Sequence, residues 1–441
     1  MKFKKALAAF MAVSMTVALA AGCSTKEETD QVDGGEKTEL QVAIFEGGYG
    51  REYWDAIAEK FEEENEGVDV VIQASPEIGD VIRPNILAGN PPDFIYLPSS
   101  NGSGVTNAMI KDKALADISD VMEKVKDKII PGVLESKSCQ PYGDGKTYLA
   151  PIYYSTTGLW YNKDFFEKNS LEVPVTWDEF FALGDESEEL GRKLFTYQGT
   201  VPSYIESLIV PAIASAAGVD TMNDCFNYDA DAWNSPEVKA VLENVAKIGT
   251  GGYLMDGTVS LDHTQAQSQW LLGNAMFHPN GSWVEGEMED APKEDGFEYG
   301  YTAAPVLDES GDKYVYTQIE EMFIPADAKN VDLAKKFLEF QYSDEAVKLN
   351  AELTKGIPPV IGASEYMKDI TSDAVYQSYA ILDQGYTAYI GNFATVSDTE
   401  IIPRDEFYNQ VGDVMTGKLT VDEWIAKMTD ICGQVQDKVV Q

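Results

Sequence analysis

Apolar runs and amphipathic stretches alternate along the N-terminal part of the chain. Three runs have the length and apolar content of buried strands: residues 40–45 (LQVAIF), 68–73 (VDVVIQ) and 93–97 (DFIYL). Between them, Trp54, Ile57, Ala58 and Phe61 fall on one face of a helix, and residues 78–88 are predicted to form a second helix. Strands that alternate with helices predict a parallel sheet covered by helices, so the fold class is α/β.

Loops that follow the first and third of these strands are predicted to face a ligand site. In parallel sheets, ligands bind at the carboxyl ends of the strands. The loops are residues 46–50 (EGGYG) and 98–104 (PSSNGSG). Five side chains of these loops are expected to reach the site: Glu46, Tyr49, Ser99, Ser100 and Asn101.

A second α/β region is predicted from about residue 157 onward. Four residues are predicted to cap the N-termini of helices: Thr176, Asn330, Ser343 and Thr420. Thr176 and Thr420 are expected to do so in capping boxes. Trp270 lies in a predicted helix, where core packing is its expected role.

The N-terminus predicts export. Residues 1–22 have a lysine-rich start and an apolar run too short to span a membrane permanently, which is typical of a secretory signal. The order Leu19-Ala20-Ala21-Gly22-Cys23 resembles a bacterial lipoprotein signal, although leucine usually lies three residues before the cysteine rather than four. That resemblance implies a lipidated Cys23, followed by an acidic, disordered tether, so that residues 23–39 form anchor and tether. Ordinary secretion with a chance cysteine is the alternative.

Chain length and net charge narrow the domain organisation and the kind of ligand. The chain has 441 residues, more than one core usually organises, so two lobes are expected. Removing residues 1–22, with their three lysines, takes the formal net charge from −41 to −44. A nucleic-acid partner is therefore not expected, since its phosphates would be repelled. A neutral or cationic ligand fits this charge.

Cysteines and histidines give no sign of metal chemistry. Cys139, Cys225 and Cys432 allow at most one disulfide and lack metal-ligand spacing. His263 and His278 are too few for a convincing zinc site. No metal and no cofactor is predicted, while a calcium ion held by carboxylates around residues 220–231 stays open.

Several separated segments resemble one protein family. They are NPPD at 90–93, YNKD at 161–164, GNAM at 273–276 and GSW at 281–283. Together they resemble the large-sugar branch of the bacterial extracellular solute-binding proteins, the family that includes the maltose-binding proteins of ABC importers. The resemblance covers residues from about 40 to 435 in consistent order.

Three further stretches resemble binding proteins for N-acetylglucosamine and short chitin fragments. They are residues 46–50 (EGGYG), 213–218 (IASAAG) and 356–359 (GIPP). The resemblance implies a two-lobed periplasmic-binding-protein-like (Venus flytrap) fold with three crossing segments. It also implies a monomeric, non-catalytic receptor, lipid-anchored outside the cytoplasm, that passes a sugar or short oligosaccharide to the transmembrane subunits of an ABC permease.

The same resemblance implies where the lobes divide. The crossing segments lie near residues 152–156, 314–317 and 356–360. Lobe 1 then comprises residues 40–151 plus 318–355, and lobe 2 comprises residues 157–313 plus 360–441. A chain that crosses several times permits the lobes to bend about a hinge without separating.

A sugar site needs aromatic platforms and short polar side chains. The resemblance implies that Trp283 is such a platform, and the flanking Asn280, Gly281 and Ser282 indicate a loop; a core tryptophan at a helix start is the alternative. The other candidates lie at the first crossing or near family ligand loops: Tyr153, Tyr154, Ser155, Tyr204 and Arg404. Ser155 stands where the family has a carboxylate.

Glu320 and Glu321 are adjacent on a predicted strand. Neighbouring strand residues point to opposite faces, so one of the two is expected to reach the cleft. A glycosidase needs two carboxylates that converge at roughly 5 to 10 Å, which strand neighbours do not do. A secreted glycan-processing enzyme and a surface glycan-adhesion module remain the alternatives, and turnover of a chito-oligosaccharide or the absence of ligand-driven closing would reveal them.

Overall fold

Nine strands form one mixed sheet in the computed structural model, which describes residues 37–439. The strands are β1 (Thr38–Phe45), β2 (Val68–Ser75), β3 (Phe94–Tyr96), β4 (Leu149–Asn162), β5 (Lys193–Phe195), β6 (Ala275–Gly281), β7 (Tyr299–Thr302), β8 (Tyr314–Phe323) and β9 (Thr387–Tyr389). Their order is β2-β1-β3-β8-β4-β6-β5, with β7 paired to β4 and β9 paired to β8. Cys23 and the predicted signal lie outside the described residues.

Eighteen α-helices lie within residues 37–439. They are α1 (Glu52–Glu64), α2 (Ile78–Leu87), α3 (Val105–Lys111), α4 (Ser119–Val125), α5 (Lys163–Asn169), α6 (Trp177–Ser187), α7 (Glu206–Ala217), α8 (Val219–Phe226), α9 (Ala230–Trp233), α10 (Pro236–Thr250), α11 (His263–Leu271), α12 (Val284–Glu287), α13 (Val331–Phe340), α14 (Asp344–Thr354), α15 (Asp373–Ala380), α16 (Pro403–Tyr408), α17 (Val411–Met415) and α18 (Val421–Val435). Short 3-10 helices occupy Lys126–Lys128, Pro202–Ile205, Thr258–Ser260, Ala363–Met367, Ile381–Gln384 and Gln436–Lys438. Within the same residues, no helix is both long and apolar enough to cross a membrane.

The predicted parallel sheet of the N-terminal region is confirmed. Strand β1 pairs in parallel with both β2 and β3. Helix α1 packs all four of its predicted apolar residues into the core. Strands β1 and β3 and helix α1 bury their apolar side chains. This burial explains why these elements pack as the sequence pattern predicts.

Three of the four predicted helix caps are confirmed. Thr176 and Thr420 form capping boxes, and the Ser343 hydroxyl accepts a hydrogen bond from a backbone N–H of α14. The prediction for Asn330 was wrong. Its side chain makes no hydrogen bond to the first turn of α13, and its amide instead donates to the Glu39 carbonyl and to the carboxylate of Asp93.

Two large hydrophobic cores share the central strands β4 and β8. The first core includes Leu40, Trp54, Phe94 and Phe337. The second core includes Phe180, Leu208, Phe277 and Trp424. Strands β4 and β8 contribute to both cores: Tyr153 and Met322 pack in the first, and Leu159 and Tyr316 in the second. These two strands therefore connect the two packed regions.

The predicted lobe boundaries stay predictions. Ala363, Met367 and Tyr379, which the sequence assigns to lobe 2, pack in the first core. Tyr389 packs in the second core. The packing therefore favours a third crossing later in the chain than residues 356–360.

The three described cysteines are buried free thiols. They are Cys139, Cys225 and Cys432. Burial raises the pKa of the Cys139 thiol to about 12, which keeps it protonated and poorly reactive. This environment fits the structural role that the sequence predicts for the cysteines.

Candidate ligand-binding site

One face of the β4–β8 pair carries a row of polar and aromatic side chains. The antiparallel register places Tyr153 opposite Glu320, Ser155 opposite Gln318, and Thr157 opposite Tyr316. Because alternate strand residues share a face, these three pairs line the same side of the sheet. We call this row the β4–β8 ladder.

The opposite face of the same strands is covered by α15. The Thr156 hydroxyl donates to the carbonyl of Ser378, and the Tyr154 hydroxyl donates to the carbonyl of Tyr379 at 3.4 Å. Tyr154 is 2% exposed. Tyr154 therefore lies away from the ladder, although the sequence predicts it beside Ser155 in the site.

A cavity of about 210 Å³ opens at the Thr157 end of the ladder. Three residues predicted from the sequence line it: Tyr204, Trp283 and Arg404. Six further lining residues are Thr157, Ser203, Glu206, Ser207, Asn280 and Gln318. We call this cavity the Trp283 pocket, and it combines aromatic, neutral polar and charged groups.

Trp283 follows β6 and stands at the N-terminal end of the one-turn helix α12, without a side-chain hydrogen bond to that helix. The sequence predicts a loop at residues 280–282, but Asn280 and Gly281 belong to β6, which pairs with β4. The indole ring folds back over Gly281, since a Cβ there would collide with Cζ3 and Cη2 of Trp283. Trp283 is half-buried, whereas Trp270 is 1% exposed and has the core role predicted for it.

Asn280 is a buried residue near the end of β6, and two hydrogen bonds hold it in place. Its backbone carbonyl accepts from Trp160 Nε1 at 3.1 Å, and its side-chain Oδ1 accepts from the Gly281 backbone N–H at 2.9 Å. A backbone N–H can only donate, so the amide orientation is determined and Nδ2 is the donor. Nδ2 is buried and has no hydrogen-bond partner within residues 37–439.

The charged groups of the pocket form one ion pair. Arg404 Nη2 lies 2.7 Å from Glu206 Oε2, and the Glu206 side chain is 12% exposed. Burial raises the pKa of the Glu206 carboxyl, while the Arg404 guanidinium opposes that shift. The Arg404 guanidinium also lies 5.4 Å from the ring centre of Tyr408. The lining therefore carries no net charge.

A second polar and aromatic group lies at the Tyr153 end of the ladder. The rings of Tyr49 and Tyr153 stack at 3.8 Å with an interplanar angle of 14°. The Tyr96 hydroxyl donates to the Glu320 carboxylate, whose pKa is raised by burial. We call Tyr49, Tyr96, Tyr153 and Glu320 the Tyr49–Glu320 cluster.

Glu320 and Glu321 have separate partners on opposite faces of β8. Glu321 is 1% exposed, and it accepts hydrogen bonds from the backbone N–H and the hydroxyl of Ser99, both at 3.0 Å. Burial raises the pKa of Glu321 to about 7, although the Ser99 donors oppose the shift. Two carboxylates with separate partners on opposite faces do not have the converging geometry of a glycosidase pair.

The other predicted site residues lie apart from both groups. Ser155 lies midway along the ladder, and Ser99 is bound to Glu321. Asn101 Oδ1 accepts from the Ser103 N–H at 3.0 Å, Ser100 is exposed, and Glu46 is half-buried at the end of β1. The structure therefore brings together Trp283, Tyr204 and Arg404 at one end of the ladder, and Tyr49, Tyr153 and Glu320 at the other.

Sequence reasoning missed Glu206, Asn280, Gln318 and Tyr96. Glu206 begins a helix that is otherwise almost entirely apolar, ESLIVPAIASAA, and a carboxylate in that position is a usable signal. Gln318 lies two residues before Glu320 and so shares its face. No sequence pattern predicts that the Asn280 amide lacks a partner.

Comparison with known proteins gives the class of this molecule. The structure superposes on that of apo RafE from Streptococcus pneumoniae with a TM-score of 0.73, at 19% identity, over 91% of this chain and 99% of that one. The fold is therefore the two-lobed periplasmic-binding fold, as predicted from the sequence.

The chain belongs to the family of bacterial extracellular solute-binding proteins, whose sequence model matches residues 47–348. A diacetylchitobiose binding protein of Streptomyces coelicolor, NgcE, is 25% identical over 374 residues, which are 79% of this chain and 79% of that protein. A maltooligosaccharide ABC transporter solute-binding lipoprotein of Streptococcus pneumoniae is 24% identical over 83% of each chain. These relatives are sugar-binding proteins rather than enzymes, and the family works outside the cytoplasm.

Proposed function

We propose that this protein is the lipid-anchored substrate-binding component of an ABC importer. In this proposal it binds N-acetylglucosamine or a short chito-oligosaccharide between its lobes and delivers it to the permease as a monomer. The observation that carries the proposal is the Trp283 pocket, in which an aromatic platform stands beside fixed polar groups. The similarity to a diacetylchitobiose binding protein supports the choice of sugar.

The chemistry of the pocket suits a sugar. A pyranose ring has apolar faces edged by polar groups, so it can stack on an indole while its edge makes hydrogen bonds. The pocket volume of about 210 Å³ is large enough to hold several water molecules, which a sugar ring would displace. From Thr157 to Tyr153 the ladder extends roughly 13 Å, and this length offers room for further rings.

Binding without turnover is the activity that the carboxylates support. Glu206 is paired with Arg404, and Glu320 and Glu321 face opposite ways. Among the described residues that line the pocket, Glu206 is the one carboxylate. The proposed protein is therefore a receptor and not a glycan-processing enzyme.

Membrane attachment in this proposal depends on Cys23. The acidic residues that follow it offer no basic patch as a second membrane signal, so one lipidated thiol carries the anchor. We expect Cys23→Ser to leave folding intact and to move the protein from the membrane fraction to the soluble or secreted fraction. A variant that stays in the membrane fraction would contradict the anchor.

A thermal-shift screen with the mature protein tests the ligand. The sugars are N-acetylglucosamine, diacetylchitobiose, and oligomers of maltose, xylose and mannose. A sugar at 100 times its Kd adds about 2.7 kcal/mol of stability, so a true ligand produces a clear rise in Tm. We expect the rise with the N-acetylated sugars, and chromatography of the same samples should show intact sugar. Hydrolysed sugar, or no rise with any sugar, would contradict the proposal.

A further inference from the structure

We infer that Glu206 sets the charge selectivity of the Trp283 pocket, by compensating Arg404 so that the pocket takes neutral sugars and rejects anionic ones. This inference rests on the proposed function and names the residue that excludes one class of ligand. Both residues line the cavity, and Arg404 Nη2 lies 2.7 Å from Glu206 Oε2. Among the described residues of the lining, these two are the ones that carry a charge.

Arg404 keeps most of its hydrogen-bond donors available to a ligand. A guanidinium carries several N–H donors, and within residues 37–439 the one side-chain hydrogen bond of Arg404 is that from Nη2 to Glu206. The Arg404 side chain is 38% exposed, and its guanidinium lies 5.4 Å from the ring centre of Tyr408. Arg404 is therefore held by Glu206 and Tyr408 and can still donate to oxygen atoms of a ligand.

Glu206 is held where it cancels the positive charge of Arg404. It is the first residue of α7, a helix of 12 residues, and the N-terminal end of a helix stabilises a carboxylate. The Glu206 side chain is 12% exposed, so water screens this ion pair less than it screens a pair on the open surface. The two opposite charges leave the cavity with donors and acceptors but without a net charge.

A neutral sugar and an anionic sugar interact differently with this lining. The oxygen atoms of a neutral sugar can accept from Arg404 without disturbing its bond to Glu206. A carboxylate on the sugar would be attracted by Arg404 but would also come close to the Glu206 carboxylate, since the cavity holds only about 210 Å³. The repulsion offsets the attraction, so the cost of removing the anion from water is not recovered. Rejection of anions therefore depends on the charge of Glu206 and not only on the shape of the pocket.

The test is a calorimetric titration of the mature protein with two sugars that differ in one group. They are N-acetylglucosamine and its uronic acid, in which a carboxylate replaces the primary alcohol. Unmodified protein is expected to bind the uronic acid at least about ten-fold less tightly than the neutral sugar. Glu206→Gln keeps an acceptor for Arg404 and removes the negative charge. It should raise the affinity for the uronic acid, relative to that for the neutral sugar, by about ten-fold or more.

Two further variants separate the local charge from other effects. Glu294→Gln removes the same charge from another partly buried ion pair, in which Glu294 Oε2 lies 2.6 Å from Arg192 Nη2 outside the pocket. It should leave the ratio of the two affinities unchanged, whereas an effect of net charge alone would raise the ratio. Glu206→Gln combined with Arg404→Gln should return the ratio toward that of the unmodified protein, because the cation that attracts the uronic acid is then absent.

Thermal melting of each variant shows whether it is folded. If Glu206→Gln does not fold, Arg404→Gln tests the inference in the opposite direction. It leaves the Glu206 carboxylate without its cation, so it should lower the ratio below that of the unmodified protein.

The outcomes distinguish this inference from the proposed function. If N-acetylglucosamine binds and the ratio stays the same in Glu206→Gln, or in Arg404→Gln where that variant replaces it, the inference is wrong and the receptor function stands. Tighter binding of the uronic acid than of the neutral sugar by unmodified protein would also overturn the inference. Failure of the unmodified protein to bind any N-acetylated sugar would instead contradict the proposed ligand. A ratio that rises in Glu206→Gln, and not in Glu294→Gln or in the double variant, supports the assignment.

Discussion

The two ends of the β4–β8 ladder contain similar residue types but differ in how those residues are used. The Trp283 pocket and the Tyr49–Glu320 cluster each combine aromatic rings with a partly buried carboxylate. At the first end there is a cavity of about 210 Å³, so its lining groups are open to a ligand. At the second end Tyr49 stacks on Tyr153 and the Tyr96 hydroxyl donates to Glu320, while the Tyr153 hydroxyl is buried without a hydrogen-bond partner within residues 37–439.

This difference indicates which residues contribute mainly to ligand binding and which contribute mainly to folding stability. A group that lines a cavity can reach a ligand, whereas stacked rings and a carboxylate that already holds a hydrogen bond gain little from one. We therefore expect substitutions in the Trp283 pocket to act mainly on sugar affinity. Substitutions on β8 near the Tyr49–Glu320 cluster should act mainly on stability.

The largest expected effect is that of Trp283→Ala. Loss of a stacking platform should lower sugar affinity by about 2 to 4 kcal/mol, which is about thirty-fold to nearly a thousand-fold. The ring is half-buried, so the unliganded variant should melt near the temperature of the unmodified protein. Calorimetric titration and thermal melting of the same samples measure both quantities.

Trp270→Ala is the matched control for this prediction. Trp270 is 1% exposed and packs on His278 and Phe297, so its truncation should cost about 3 to 5 kcal/mol of folding stability. If Trp283→Ala loses stability and keeps its affinity for sugar, Trp283 is a core residue and the pocket is not the binding site.

The second prediction concerns Glu321, beside the cluster on the opposite face of β8. Burial raises its pKa to about 7, above the value near 4.5 of an unperturbed glutamate, so the folded state binds this proton more tightly than the unfolded state does. Its contribution to stability is therefore full below about pH 4.5 and is lost as the pH rises toward 7. The loss amounts to at most about 3 kcal/mol.

Glu321→Gln should remove this pH dependence, because the amide oxygen still accepts from Ser99 and no longer ionises. The free energy of unfolding, measured in urea from pH 4 to pH 8, should exceed that of the unmodified protein at the upper end of the range. The exposed Glu59→Gln provides the control and should follow the unmodified protein. Parallel curves for Glu321→Gln and the unmodified protein would refute the prediction.

The sequence predicts the elements better than it predicts the site. Helix α1 follows from its periodicity and strands β1 to β3 follow from their apolar runs; α1, β1 and β3 bury these residues, whereas β2 is mostly half-buried or exposed. The prediction that Asn330 caps α13 was wrong, and its amide instead donates to the Asp93 carboxylate, which is distant in sequence. Local patterns do not contain such long-range partners.

The same limit explains the mixed result for the site residues. Trp283, Tyr204 and Arg404 are far apart in the sequence and line one pocket, as the family resemblance implies. Ser99 follows β3 as predicted, but its donors are used by Glu321. A loop position can be predicted from the order of strands, whereas the partner of its side chain depends on tertiary packing. The roles of these residues in binding stay predictions.

The third prediction is that Gly281→Ala weakens sugar binding indirectly, by displacing the ring of Trp283. A Cβ at this position would collide with the six-membered ring of Trp283, so the ring must turn away from its present place. Small-to-large changes in packed sites cost about 1 to 3 kcal/mol, and we expect an affinity loss near the lower limit, about ten-fold. Gly286→Ala on α12 is the control, since a Cβ there meets nothing within 4 Å. Equal affinities in the two variants would show that the orientation of Trp283 is unimportant.

The smallest expected effect, that of Ser155→Ala, tests whether the two ends of the ladder belong to one cleft. Ser155 pairs with Gln318, midway between Thr157 at the pocket and Tyr153 in the cluster. If an oligosaccharide follows the ladder, its second ring passes over Ser155, and loss of the hydroxyl should cost about 0.5 to 1.5 kcal/mol for the dimer and nothing for N-acetylglucosamine. Titration with both sugars measures the difference.

Thr156→Val is the control for the opposite face of β4. The Thr156 hydroxyl donates to the Ser378 carbonyl beneath α15, so its loss should lower the melting temperature and leave both affinities unchanged. Equal affinity of Ser155→Ala and the unmodified protein for the dimer would confine binding to the Trp283 pocket. The cluster would then be a structural element that shares only its residue types with the pocket. A loss specific to the dimer would instead extend the cleft along the ladder, because Ser155 lies outside the pocket and can reach only the second ring.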